Sequence, residues 1–361
     1  IENFFKCFQI SCQGATSTKT FADFLCNKLS AALPQAVYDK ASTDIANEMR
    51  SNHPALNGNR SKLESYILKS LAEEENFEKY RQYIHFPRDF LQTFIQKCVN
   101  DYCLDKKDRK LQNFLTISLA SCQTLILSAL RDSTQVVKDR NGNTSLWLDE
   151  FCSRLGDVLD FPRSDLKSIE HQETTDIEFL KEAMSKALDP MLQKLKKDFA
   201  VTDMEPFQRK PHEILAEHFS GCREKCPFCK AVCTNTIFNH DGDHSVPFHR
   251  PQATTGIKLY KTNHLVTDIC SSLVASDCLF VLSEDRKIPY RNYRDAGPPF
   301  STWSITPDTS VQPYWKWFVC HFRAELEEQH SGKFEGRGEI ASQWKKITKQ
   351  DVLSELEKQL L

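Results

Sequence analysis

Residues 222–249 read CREKCPFCKAVCTNTIFNHDGDHSVPFH, gathering Cys222, Cys226, Cys229 and Cys233 with His240, His244 and His249 in one short run. Thiolates and imidazoles at this density are the ligand types of a borderline-soft metal. Cys226 and Cys229 form a C-x2-C knuckle. After an interval of fourteen residues, His244 and His249 supply an H-x4-H pair, the ligand count of a closed tetrahedral zinc site. Gly242 and Pro247 interrupt the segment carrying the histidines. It therefore does not form the single helix on which a DNA-reading finger carries both of its histidines. A metal there acts as a staple for an irregular loop, and this fixes the reading of the chain's second part as a small zinc-stabilised domain.

Cys226, Cys229, His244 and His249 are the first ligand set, bound to one structural Zn2+ per chain. Cys222, Cys233 and His240 could each replace one member by a small change of loop path. Cys222, Cys226 and Cys229 also spell C-x3-C-x2-C, the formal pattern of an iron–sulfur radical enzyme. That chemistry needs a repeated β/α barrel, and the residues after the motif are too few for one.

Upstream the sequence has helical period. Leu63, Tyr66, Ile67 and Leu71 form one stripe; Phe90, Phe94 and Cys98 a second; Leu111, Phe114, Leu115 and Leu119 a third. A further helix is predicted over 177–199, with Leu180, Met184, Leu188, Met191 and Leu195 on one side and a kink at Pro190. Turn formers at 51–59, 138–143 and 160–165 separate these stretches. After Phe207 come Pro-rich turns and short β-prone runs such as 278–282. Thr348 and Asp351 then spell a capping box before a last amphipathic helix bearing Val352, Leu353, Leu356 and Leu360. The fold class is thus mainly α: a helical bundle over 1–205, then a smaller zinc-stabilised α+β domain over 206–361.

The 361 residues carry 47 Lys and Arg against 49 Asp and Glu, a formal net charge of -2, which gives no global attraction to nucleic acid. Cys7, Cys12, Cys26, Cys98, Cys103, Cys122 and Cys152 are scattered through amphipathic segments, which suits free thiols in a reducing compartment. No apolar run approaches the roughly 20 residues of a membrane span, and no signal peptide opens the chain. The first residue is not Met, so the chain reads as a piece of something longer. The expected location is cytoplasmic, with the nucleus as the alternative. The Asn59 and Asn143 sequons are then chance matches.

Two apparent catalytic motifs fail on spacing. In HEILAEH, His212 and His218 are six apart rather than four, so they do not share a helical face. Gly14 to Thr20, GATSTKT, lacks the second glycine of a phosphate loop. No catalytic residue is assigned.

CPFCKAVC followed by HDGDHSVPFHRPQ, together with DICSSLVASDC (268–278), IPYRNYRDAGPPFSTWSITPDTSVQPYWKWFVCHF (288–322) and ITKQDVL (347–353), resembles the carboxy-terminal region of the interferon-induced very large GTPase family. The resemblance covers about residues 210–361. It implies a cytosolic, dynamin-like parent whose nucleotide domain lies upstream, so GTP is a ligand of the parent only. This piece is expected to be a non-catalytic module for self-association or for binding another protein, with no nucleic acid as partner. The alternatives are a metal-dependent enzyme or a nucleic-acid-binding zinc module. In YWKWF, Tyr314, Trp315, Trp317 and Phe318 read as core rather than groove, as does Trp303. Arg291 and Arg294, interleaved with Tyr290 and Tyr293, read as a solvated turn rather than an RNA contact.

Overall fold

The computed structural model describes residues 2–105, 108–156, 158–159, 161, 166, 176–283, 285–308, 310 and 312–360, with the backbone alone for 2–17 and 359–360. The chain divides into two compact units, one of 1–47 with 98–211 and the other of 48–97 with 212–361. The division near 211 falls close to the sequence boundary at 205/206. Residues 48–97, which helical period groups with the bundle, go with the carboxy-terminal residues instead.

The first unit is helical. Its main elements are most of α1 (Glu2–Asn52), α5 (Lys110–Asp139), α6 (Thr144–Leu155) and α7 (Ile177–Phe199). Phe21, Leu25, Leu29 and Leu33 recur every fourth residue of α1 and are all fully buried. The segment 14–20 lies inside this helix, so it forms no phosphate-cradling loop. In α7, Leu180, Met184, Leu188 and Leu195 are buried as the period predicts, and the helix continues through Pro190. The Trp147 indole N–H of α6 donates to Thr134 Oγ1 of α5 at 3.1 Å, so the buried ring brings its polar atom a partner.

By length and composition α5 is the one helix among the described residues apolar enough to cross a membrane, where the sequence reading expected none. Its stripe of Leu111, Leu115, Leu119, Cys122, Ile126 and Leu130 is buried in the unit, as in the core helix of a bundle.

The second unit combines α2 (Arg60–Glu74), α3 (Phe77–His85) and the first part of α4 (Pro87–Cys103) with the carboxy-terminal elements. These are α8 (Pro211–Ser220), α9 (Cys270–Leu273), the strands β1 (Leu279–Ser283) and β2 (Arg286–Pro289), α10 (Pro313–His321), α11 (Arg323–Gln329) and α12 (Lys349–Leu360). β1 and β2 form an antiparallel pair with Phe280 opposite Ile288. The buried stripe of α4 is Leu91, Ile95, Val99 and Cys103, one position beyond the predicted Phe90, Phe94 and Cys98, which are half-buried.

Aromatic packing explains why 48–97 belongs here. Tyr314 of α10 donates its hydroxyl to the Leu68 carbonyl of α2 at 2.7 Å and lies 2.9 Å from the Tyr80 hydroxyl of α3. The Tyr80 and Phe318 rings sit 4.5 Å apart. Tyr314, Trp315, Trp317 and Phe318 are all buried, so the YWKWF run is core. The Thr348–Asp351 box forms, with the Thr348 N–H donating to the Asp351 carboxylate at 2.8 Å and the Asp351 N–H to Thr348 Oγ1 at 3.2 Å.

Between α8 and α10 the chain has little regular structure. A second core gathers there from Phe228, Phe280, Tyr293, Trp303 and Ile305, around the buried cysteines of the quoted run. Arg294 makes a two-pronged ion pair with Asp243, and Arg291 pairs with Asp277, so both cations of the 288–294 run are engaged. The expected break over 160–165 lies mostly outside the described residues, as does the side chain of Leu360.

Candidate metal centre

The quoted run folds as a tight hairpin. The Cys222 N–H donates to the Asn235 carbonyl at 2.8 Å, Cys233 N–H to Glu224 at 2.9 Å and Cys226 N–H to Ala231 at 2.8 Å. The turn closes with Lys230 N–H on the Cys226 carbonyl at 3.0 Å, Lys230 having φ 58°. This pairing nests the 226/229 knuckle inside Cys222 and Cys233. Gly221 opens the hairpin at φ 40°, and a Cβ there would meet the Asn235 carbonyl oxygen at 2.1 Å, so only glycine fits.

The nesting separates the ligands into two groups. Cys222, Cys233, His240 and His244 form an outer group, partly exposed through its histidines. Cys226, Cys229, His249 and Cys270 form an inner group that is buried throughout. In each, the four ligand atoms lie within 4.8 Å of one another. In the outer group Cys222 Sγ is 3.4 Å from His244 Nδ1, Cys233 Sγ 3.7 Å from His240 Nε2, and the two imidazole nitrogens are 3.0 Å apart. In the inner group His249 Nδ1 is 2.8 Å from Cys270 Sγ and 3.4 Å from Cys229 Sγ, while Cys226 and Cys270 sulfurs are 3.9 Å apart. A tetrahedron with metal–sulfur and metal–nitrogen bonds of zinc length has edges of about 3.3–3.8 Å. The separations quoted, 2.8–3.9 Å, bracket that range.

These groups revise the single set of Cys226, Cys229, His244 and His249. The structure brings Cys226, Cys229 and His249 together but sends His244 to the outer group, where Cys222, Cys233 and His240 stand beside it rather than in place of an inner member. His244 is held there by backbone pairing, its N–H on the Thr302 carbonyl and its carbonyl accepting from Ser304 N–H, each at 2.8 Å. The C-x3-C-x2-C trio is likewise divided, with Cys222 in one group and Cys226 and Cys229 in the other, so it does not present three thiolates to one cluster. His212 and His218 both lie on α8 and join neither group.

Cys270 is the member of the inner group that sequence reasoning missed. It stands 21 positions beyond His249 at the start of α9. Antiparallel pairing delivers it: Pro251 bridges Ile269, Gln252 N–H donates to Asp268 and Ala253 N–H to Val266. Nothing local separates Cys270 from Cys278, which is exposed. The available signal was the segment itself, since 268–278 is among those that carry the family resemblance.

The electrostatics of the inner group call for a cation. Burial pushes the Cys226 and Cys270 thiols well above the ordinary cysteine range, and their sulfur neighbours push the same way for Cys270. Burial also opposes ionisation of Cys229, but hydrogen bonds from Cys226, Cys270 and His249 overcome it and hold that thiol well below its ordinary range. Without a cation, burial and the neighbouring sulfurs oppose ionisation of Cys226 and Cys270 beside Cys229. A divalent cation removes the repulsion and lets all three ionise. His240 is oriented from behind, its Nδ1 3.1 Å from the Asp241 carbonyl, which leaves Nε2 toward the outer group.

Residues 222–356 match the family described as Interferon-induced very large GTPase 1, C-terminal domain. Over 358 residues, 99% of the chain, the sequence is 51% identical to the Interferon-induced very large GTPase 1 of Homo sapiens, and over 357 residues it is 50% identical to that of Mus musculus. The chain spans 15% of the length of each of these relatives. No solved structure matches the chain.

Proposed function

From the premise that the chain is a carboxy-terminal region of the interferon-induced very large GTPase family, we propose that it is a non-catalytic module through which a very large GTPase assembles with itself or docks another protein. Two structural zinc ions make its second unit rigid. The observation that carries this reading is the closure of both ligand groups. Each supplies four protein donors, whereas a catalytic zinc keeps one position for water or substrate. The mixture of thiolates and imidazoles in tetrahedral spacing favours zinc over oxygen-preferring cations. GTP hydrolysis belongs to other parts of the parent. None of the twelve described cysteines is in a disulfide, which supports a reducing, cytoplasmic location.

The test is made in the full-length parent. Cys226→Ser together with Cys270→Ser is expected to abolish nucleotide-dependent assembly, followed by light scattering, while GTP binding by the parent persists. Unchanged assembly in a parent shown to have lost its metal would overturn the assembly reading and leave docking of another protein to be sought by affinity capture.

A further inference from the structure

The second unit also contains a cleft of about 260 Å³ beside the outer metal group, with Cys222 in its wall. Arg60, His85, Arg88, Arg223 and Lys225 converge on it, and Asp89 is the one acid of its lining. Arg60, Arg88, Arg223 and Lys225 take no part in the ion pairs of the described residues. Four permanent positive charges thus face one negative charge in a concave site, although the whole chain is near neutral. Such concentration of one sign in a cleft focuses the field on an anion.

Two further features shape the site. Arg60 is only 4% exposed, and its Nη1 donates to the Phe219 and Ser220 carbonyls at 3.2 and 2.6 Å, which anchors its guanidinium as a fixed positive charge in the cleft wall. The first turn of the 17-residue α4 also lines the cleft, through Pro87, Arg88 and Asp89. The N–H groups of Arg88 and Asp89 have no acceptor within their own helix, and the helix dipole adds positive potential there. Burial, and then the charges of Arg250, Arg81 and Lys225, hold the His85 imidazole below its ordinary range, which is consistent with a crowd of cations. Glu64 does not line the cleft and takes the Tyr83 hydroxyl.

We propose that this cleft binds a phosphate monoester dianion of single-nucleotide size, held by Arg88, Arg223, Lys225 and the start of α4. At the rim Phe86, 62% exposed, offers its ring to the base. Guanidinium forks and helix-start N–H groups suit phosphate oxygens, and an exposed aromatic ring stacks on any nucleobase. Arg223 and Lys225 ride on the metal-stapled hairpin between Cys222 and Cys226, so the proposed zinc sites would fix two of the four cations. A free nucleotide and the 5′ end of an RNA present the same chemistry.

Calorimetric titration of the 361-residue chain at low salt with inorganic phosphate, AMP and adenosine tests the proposal. Phosphate and AMP are expected to bind and adenosine not to bind. The exposed-site variants Arg88→Ala and Arg223→Ala should each weaken AMP by about fivefold or more, while Phe86→Ala should weaken AMP and leave phosphate unchanged. A 5′-phosphorylated trinucleotide that binds about tenfold tighter than AMP would identify an RNA end as the source, and equal affinity a free nucleotide. Failure of both phosphate and AMP to bind at millimolar concentration would overturn the proposal. So would AMP binding unaltered by Arg223→Ala with Lys225→Ala.

Discussion

Cys270 and Gly221 show most directly how single residues support the metal centres. Cys270→Ser removes one of the four donors of the buried inner group, and binding energy at such a site is folding energy. We expect it to cost more than about 3 kcal/mol, with Cys278→Ser, at an exposed thiol, within about 0.5 kcal/mol. Urea denaturation compares them, and equal losses would contradict the assignment. Gly221→Ala should also destabilise by about 2 kcal/mol or more, because the new Cβ meets a backbone oxygen in a left-handed conformation; a neutral melt would show that the hairpin can open there. The seven Cys and His residues of 222–249 were legible as a cluster of metal-ligand types because soft donors at such density have few other uses. Their partition was not, because it depends on which carbonyl each N–H of the hairpin finds. Cys270 was hidden for the same reason, being delivered by pairing between distant segments.

Caps and charge clusters govern the elements. Asn59, Asn76 and Asn143 each accept a backbone N–H at the start of a helix, at 3.0, 3.2 and 3.1 Å. Asn59 and Asn143 head the two sequons, and their capping gives these asparagines a structural use. Asn143→Ala should cost about 1 kcal/mol in the first unit, measured by thermal unfolding. In α11, burial opposes the charge of Glu327, but the Phe334 N–H, Lys333 and Arg323 overcome it and hold its pKa from 4.5 down to about 2. A depressed acid stabilises the fold above its unfolded pKa and ceases to do so as pH falls through the folded one. The contribution, on the order of 1–2 kcal/mol once solvent screening of the half-exposed Arg323 and Lys333 is allowed for, is therefore largely present above pH 4.5 and lost toward pH 2. Denaturation of Glu327→Gln across pH 2–7 should differ from the parent sequence at neutral pH and converge with it in acid; a constant gap would contradict this. Helical period located α2, α5 and α7 well, because one buried stripe per helix is a local property. It misplaced the α4 stripe by one position, since two stripes offset by one residue have the same period and only tertiary packing chooses between them.

At the scale of the whole molecule, the mainly helical class and the less regular carboxy-terminal region were legible, because composition changes after Phe207. The allegiance of 48–97 was not, because the Tyr314–Leu68 and Tyr80–Phe318 contacts join residues more than 200 positions apart. The proposed module depends on metal to hold a Pro- and Gly-interrupted segment whose backbone supplies few regular hydrogen bonds of its own. Metal content of the purified 361-residue chain, by mass spectrometry against protein concentration, tests that dependence most directly. Two zinc ions per chain are expected, falling to one in Cys270→Ser as the inner group is lost. One zinc in the unaltered chain, or iron in place of zinc, would contradict the account.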